Sequence, residues 1–250
     1  MTQRSLRRRA GITALLSAGL LGSPLIAHTA GAGLIASFEA SGTVDVGLSA
    51  TATVPAGVTV DYDASVFSRD ASHDGALSSA SSDPLAEVFG DATFQSHADT
   101  GQAGARREAG VPTGLADASS STDGYITVSN NSGAPVDLTF DWAVDALVKT
   151  ALTTLGGPFD ASASAFFMVT IATLNGTVLD TGINAVLADS ESDSLFDSGQ
   201  FTVSIADGDF EEISILVESG GTASAVPVPP TLALLPFGLA IVRATRRRAA

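Results

Sequence analysis

The sequence predicts an all-β protein, a single antiparallel β-sandwich of jelly-roll or immunoglobulin-like type. Three observations lead there: apolar residues recurring at every second position, turn-forming residues between those segments, and almost no helical amphipathicity. In TVDVGLSATATV, Val44, Val46, Leu48, Ala50, Ala52 and Val54 share one face, and Thr43, Asp45, Ser49, Thr51 and Thr53 share the other. That is the pattern of a strand with one face buried. VTVDYDASVF repeats it with Val58, Val60, Tyr62, Ala64 and Val66 inward, and Pro55-Ala56-Gly57 supplies the turn between the two. VDLTFDWAVDALV places Val136, Leu138, Phe140, Trp142 and Val144 on one face and Asp137, Thr139, Asp141 and Asp145 on the other. Helical spacing would scatter the acids among the apolar residues, whereas a strand segregates them. Trp142 falls in phase with the core residues, so it is read as packing.

The turns complete the pattern. YITVSN (125–130) pairs with the Trp142 strand through NSGAP. SAFFMVTIATL leads through Asn175-Gly176, the strongest short turn signal in the chain, into TVLDTG. FTVSIAD and EEISILVES flank Asp207-Gly208-Asp209 as another hairpin. The total comes to about eight to ten short strands. One short helix is expected over Pro84 to Gly90. Between residues 69 and 123 the composition shifts to Ala, Ser, Gly and Asp with weak periodicity, which reads as a loop-rich or partly disordered stretch, a pair of weak strands being the ordered alternative.

Charge is distributed unevenly. The chain has 12 Lys plus Arg against 27 Asp plus Glu, a net charge of −15. Arg4, Arg7, Arg8 and Arg9 lie at one end and Arg243, Arg246, Arg247 and Arg248 at the other, so Arg69, Arg106, Arg107 and Lys149 face every acid from Glu39 to Glu218. Such a body repels phosphate backbones and anionic headgroups, which argues against nucleic acid as a partner. With no cysteine, disulfides and thiolate chemistry are excluded.

The two ends read as processing segments, leaving a body of roughly 190 residues, 33–225. A basic start and an apolar stretch from Ile12 to Ala27 precede Ala30 and Ala32 in an A-x-A arrangement. This is the pattern of a signal helix cut by signal peptidase after Ala32, with residues 1–32 removed. At the other end Pro227, Pro229 and Pro230 form a stiff separator after the last folded element, followed by an apolar run from Leu232 to Val242. A helix of about 12 residues spans about 18 Å, short of the roughly 30 Å hydrocarbon core. Arg246, Arg247 and Arg248 act as a basic stop that stays cytoplasmic.

In order and chemistry residues 226–250 resemble the PEP-CTERM sorting signal of Gram-negative bacteria. Val226-Pro227-Val228-Pro229 occupies the place of the proline motif, Thr231 to Leu235 and Gly238 to Ala240 look like its short hydrophobic helix, and Arg246 to Arg248 match its basic end. Val228 stands where the motif carries glutamate, and Pro236 interrupts the helix. The resemblance implies transient retention in the inner membrane and then recognition by an exosortase. It further implies delivery to the cell surface or an extracellular matrix of exopolysaccharide or biofilm.

Catalytic chemistry is sparse. His73 and His97, in ASHDG and QSHAD, are the histidines of the body, and both are expected in solvated loops. Asp61 with Asp63 has a spacing that two-carboxylate hydrolysis allows, but it equally describes the exposed face of an acidic strand. The reading is therefore non-enzymatic, with no cofactor. Calcium is the one metal considered, through Asp207, Asp209, Glu211 and Glu212 in the acidic turn DGDFEE and through DSESDSLFD (189–197). The alternative to a structural or adhesive role is a secreted module that binds calcium or carbohydrate.

Overall fold

A computed structural model describes residues 35–75, 77–104, 114–153, 159–186 and 191–227. The signal segment with Ala30 and Ala32, together with Val228, Pro229 and Arg246 to Arg248, lies outside these residues, as do the two segments expected to form flanking helices. The described residues contain no helix long and apolar enough to cross a membrane.

Among the described residues eleven strands follow one another: β1 (Ile35–Leu48), β2 (Val58–Asp74), β3 (Ser79–Ser81), β4 (Leu85–Val88), β5 (Ala92–Gly104), β6 (Gly114–Asn130), β7 (Val136–Thr153), β8 (Phe159–Thr173), β9 (Gly176–Val186), β10 (Glu191–Ile205) and β11 (Phe210–Pro227). They form two antiparallel sheets. One has the order β10-β7-β1-β5-β3 with β4 also pairing β5, and the other the order β2-β6-β11-β8-β9. Side chains from both sheets meet in one core that includes Phe38, Val44, Phe140 and Val148 from the first and Ile126, Phe167, Ile213 and Val217 from the second. Alternation dictates this layer: each strand turns one parity of residues inward and the other outward.

The predicted faces hold for β7, where Leu138, Phe140 and Val144 are buried and Asp137 and Asp145 exposed. Outward polar pairs line the ladder beside it, Ser204 Oγ donating to Asp137 at 2.6 Å and Gln200 Nε2 to Asp141 at 2.6 Å. Asn175-Gly176 makes the expected hairpin between β8 and β9, with Gly176 at a φ of 140° that a side chain would strain.

Several expectations are corrected. The first strand stops at Leu48 rather than continuing to Val54, because Ala52 N turns back to Ser49 O at 2.9 Å and leaves Ala50 and Val54 exposed. YITVSN does not pair with the Trp142 strand, nor FTVSIAD with EEISILVES. Each of those turns carries the chain from one sheet to the other, and β6 pairs β2 and β11 while β10 pairs β7. Sequence proximity and good turn residues do not distinguish a hairpin from a crossover of equal length. Leu85–Val88 is a strand against β5 and not a helix, held by the Phe89–Ala92 turn. The loop-rich region is largely strand, comprising the end of β2, then β3, β4 and β5, and the first part of β6. The strand is also not finished at residue 225, since Val226 and Pro227 pair with Asp160 and Phe159 of β8. The described part of β6 begins opposite Ala225, so on that side no ladder bond is asked of Pro227 among the described residues.

Asn130 joins two of the crossovers. Fully buried, it donates through Nδ2 to Ala134 O at 2.8 Å and Ile205 O at 3.0 Å and accepts from Ser132 N at 3.0 Å. Its own backbone oxygen accepts from Gly208 N at 2.7 Å. Asn130→Ala is expected to cost about 2 kcal/mol in equilibrium denaturation, because it leaves buried carbonyls without donors. A loss below about 0.5 kcal/mol, the range of an indifferent surface change, would show that the two turns are held independently of this side chain.

Candidate functional site

The sequence ATFQSHADTGQAG folds as β5 with its polar residues inward. Thr93, Gln95, His97 and Asp99 are all buried, while Phe94, Ser96 and Ala98 turn outward. Across the layer, β6 presents Ser120 and Thr122 and β11 presents Ser219, equally buried. His97 is thus a core residue 3 % exposed, not the solvated loop histidine expected. Phe167 packs edge-on against its ring at 6.0 Å, and Gly42, its partner on β1, leaves the space that Phe167 occupies.

The network's proton directions follow from donor and acceptor balance. Ser120 Oγ donates to Asp99 Oδ2 at 2.7 Å, and Ser219 Oγ donates to the same oxygen. With those protons committed, the serine oxygens accept from His97 Nδ1–H at 2.8 and 2.9 Å. The imidazole therefore carries its proton on Nδ1, and Nε2 is left to accept from the Thr122 hydroxyl at 2.8 Å. The Thr122 oxygen in turn accepts from the Gln95 carboxamide nitrogen at 2.6 Å, while Gln95 Oε1 accepts from Gly124 N at 3.0 Å. The opposite amide orientation would take the Thr122 proton and leave His97 Nε2 without a donor. A side chain at Gly124 would collide with the Gln95 amide, so glycine there is what admits it. Asp99 Oδ1 is buried with no hydrogen-bond partner.

Burial holds the His97 imidazole neutral, lowering its pKa from 6.5 to about 4 against the weaker opposing pull of Asp99. A chain of hydroxyls thus links a carboxylate to a free imidazole base, and that base to a threonine. The arrangement has the logic of a nucleophilic relay, but it is closed to solvent on every side.

No protein-family model, curated protein or solved structure matches the chain.

The other candidates lie apart. His73 sits near the exposed end of β2, and Asp61 and Asp63 are exposed on its outer face opposite Thr127 and Tyr125. Asp207 Oδ1 accepts from Gly133 N at 2.8 Å, and Asp209 holds its turn through backbone bonds to Ala206 and Asn130. Glu211 is buried and caps the β8–β9 turn, accepting from Leu174 N at 2.8 Å and Asn175 Nδ2 at 3.4 Å. Glu212 points to the opposite, exposed face. The Asp207 and Glu211 carboxylates are therefore engaged at separate turns, and Glu212 faces away from Glu211. Among the described residues no group of three or more His, Asp or Glu side chains is placed to hold a metal ion.

The buried relay escaped the sequence reading because its alternation is inverted. An apolar-inward rule places Phe94 and Ala98 in the core and finds no period in the polar set. The available signal was four polar residues of one parity, Thr93, Gln95, His97 and Asp99, followed by Ser120 and Thr122 in the next long segment.

Proposed function

We propose that this chain is an exported, non-enzymatic protein of the cell surface or extracellular matrix, processed by an exosortase-type system and structural or adhesive in role. The observation that carries the reading is the order of the last 25 residues: proline motif, short apolar run, arginine cluster. The A-x-A segment at Ala30 and Ala32 supports it from the other end. So does the fold, which we take as one β-sandwich of jelly-roll or immunoglobulin-like type, its successive strands repeatedly crossing between two sheets. The sealing of the His97 relay also favours a non-enzymatic role, since no external substrate reaches a group buried on all sides. Among the described residues ladder pairing runs as far as Pro227, so cleavage beyond that point would leave those pairs whole.

Intact mass spectrometry of the protein from supernatant, surface and inner-membrane fractions of its host tests the reading. The expected mature species lacks residues 1–32 and the segment beyond the motif, and is found outside the cell. A species in the inner membrane that retains Arg246 to Arg248 would overturn the sorting assignment in favour of a plain anchor.

A further inference from the structure

We infer that Thr122 and Gln95 react with one another to form an internal ester that joins the two sheets covalently. Thr122 stands on β6 and Gln95 on β5, in opposite sheets, with the threonine oxygen 2.6 Å from the Gln95 carboxamide. The carboxamide carbon is one bond beyond that contact, so nucleophile and electrophile are held together without any diffusional step. His97 Nε2, 2.8 Å from the same oxygen, is placed to take the hydroxyl proton. Ser120, Ser219 and Asp99 hold the imidazole in the tautomer that leaves this nitrogen free, and they offset the positive charge it gains. Gly124 N–H points at Gln95 Oε1 from 3.0 Å, where negative charge develops as the carbonyl is attacked.

The step balances within the chain. Thr122 Oγ1 bonds to the Gln95 Cδ atom, and its proton passes to His97 Nε2. The Cδ–Nε2 bond of Gln95 then breaks, and His97 returns the proton to the departing nitrogen, which leaves as ammonia. No oxidant or external reactant is needed. Departure of ammonia drives the exchange forward, and the same burial that keeps external substrates out keeps water from hydrolysing the ester. His97 remains neutral at physiological pH, the form a base requires. The ester also gives a use to a costly arrangement, since six polar side chains buried in the middle of an apolar core are ordinarily replaceable by packing.

Trypsin makes the test direct. Cleavage at Arg69, Arg106, Arg107 and Lys149 puts Gln95 in the peptide from Asp70 to Arg106 and Thr122 in the peptide from Glu108 to Lys149. The full chain is purified folded, then denatured and digested. In the wild type the two peptides are expected as one species whose mass is their sum less one ammonia, about 17 Da, and mild alkali should separate them with Gln95 recovered as glutamate. Thr122→Ser should keep the link, while Thr122→Val, near-isosteric and so the least disruptive replacement, should abolish it. His97→Gln should slow or prevent it. Two free peptides of unmodified mass from folded wild-type protein would overturn the proposal, and so would a link that survives Thr122→Val. These readouts come from peptides of the body and are independent of processing at either end, so the ester and the sorting assignment fail separately.

Discussion

Phe167→Ala is expected to destabilise the folded chain by about 4 kcal/mol in urea denaturation, while Phe166→Ala next to it costs less than about 1 kcal/mol. The two residues are consecutive on β8 and differ only in the face they occupy. Phe167 is fully buried, lying against His97 and over the space left by Gly42, whereas Phe166 is 37 % exposed. Truncating Phe167 removes a ring's worth of apolar burial and leaves a cavity between sheets whose backbone ladders on both sides restrain collapse. It also loosens the wall that keeps water from the His97 relay. Equal costs for the two variants would mean that β8 is out of register by one residue, which would invert every face assigned to that strand.

The second large effect is acid sensitivity. His97 is held neutral by burial, with its pKa lowered from 6.5 to about 4. In the unfolded chain it takes up a proton once the pH falls below 6.5, and in the folded chain it resists until about 4. The unfolded state therefore binds more protons in that window, and folding stability falls as pH falls through it. The contribution is complete above 6.5 and gone below about 4, amounting to about 3 kcal/mol in all. Asp45, whose pKa burial pushes upward, acts in the opposite sense, favouring the folded state as the carboxyl range is approached. Urea midpoints measured from pH 7 down to about 4 should decline along this curve in the wild type and flatten in His97→Leu. A slope unchanged in that variant would assign the acid sensitivity to other groups.

Val44, Leu138, Phe140 and Val144 announce their faces because burial and apolarity coincide there. Alternation of that kind reports only which side of a strand is wet, and it is silent about which strand lies alongside. That is why the turns after Asn130 and Ile205 read locally as hairpins although they are crossovers. The partner is chosen by long-range pairing, such as Phe210 with Ser129 and Val203 with Leu138, which no local pattern encodes. The site was hidden for the converse reason. His97 and Asp99 are polar groups inside a core, stabilised by Ser120 and Ser219 from distant segments, so the rule that finds cores misfiles them. The acidic turn at Asp207 and Glu211 attracted attention because carboxylates stand close in sequence. In the fold each is already engaged by a backbone N–H.

The placement of β11 bears on how the chain comes into being. It is the final described strand in chain order, yet it lies in the middle of its sheet, with β6 on one side and β8 on the other. A ribosome emits the sheet's outer members first and its keystone last. Until Phe210 to Pro227 has emerged, β6 and β8 have no common neighbour, and the second layer cannot close over the first. Strand pairing of such long sequence separation is slow, so the nascent chain stays open and threadable for most of its synthesis. Under the export proposed above, arranging the strands so that completion waits for the last of them is a built-in delay.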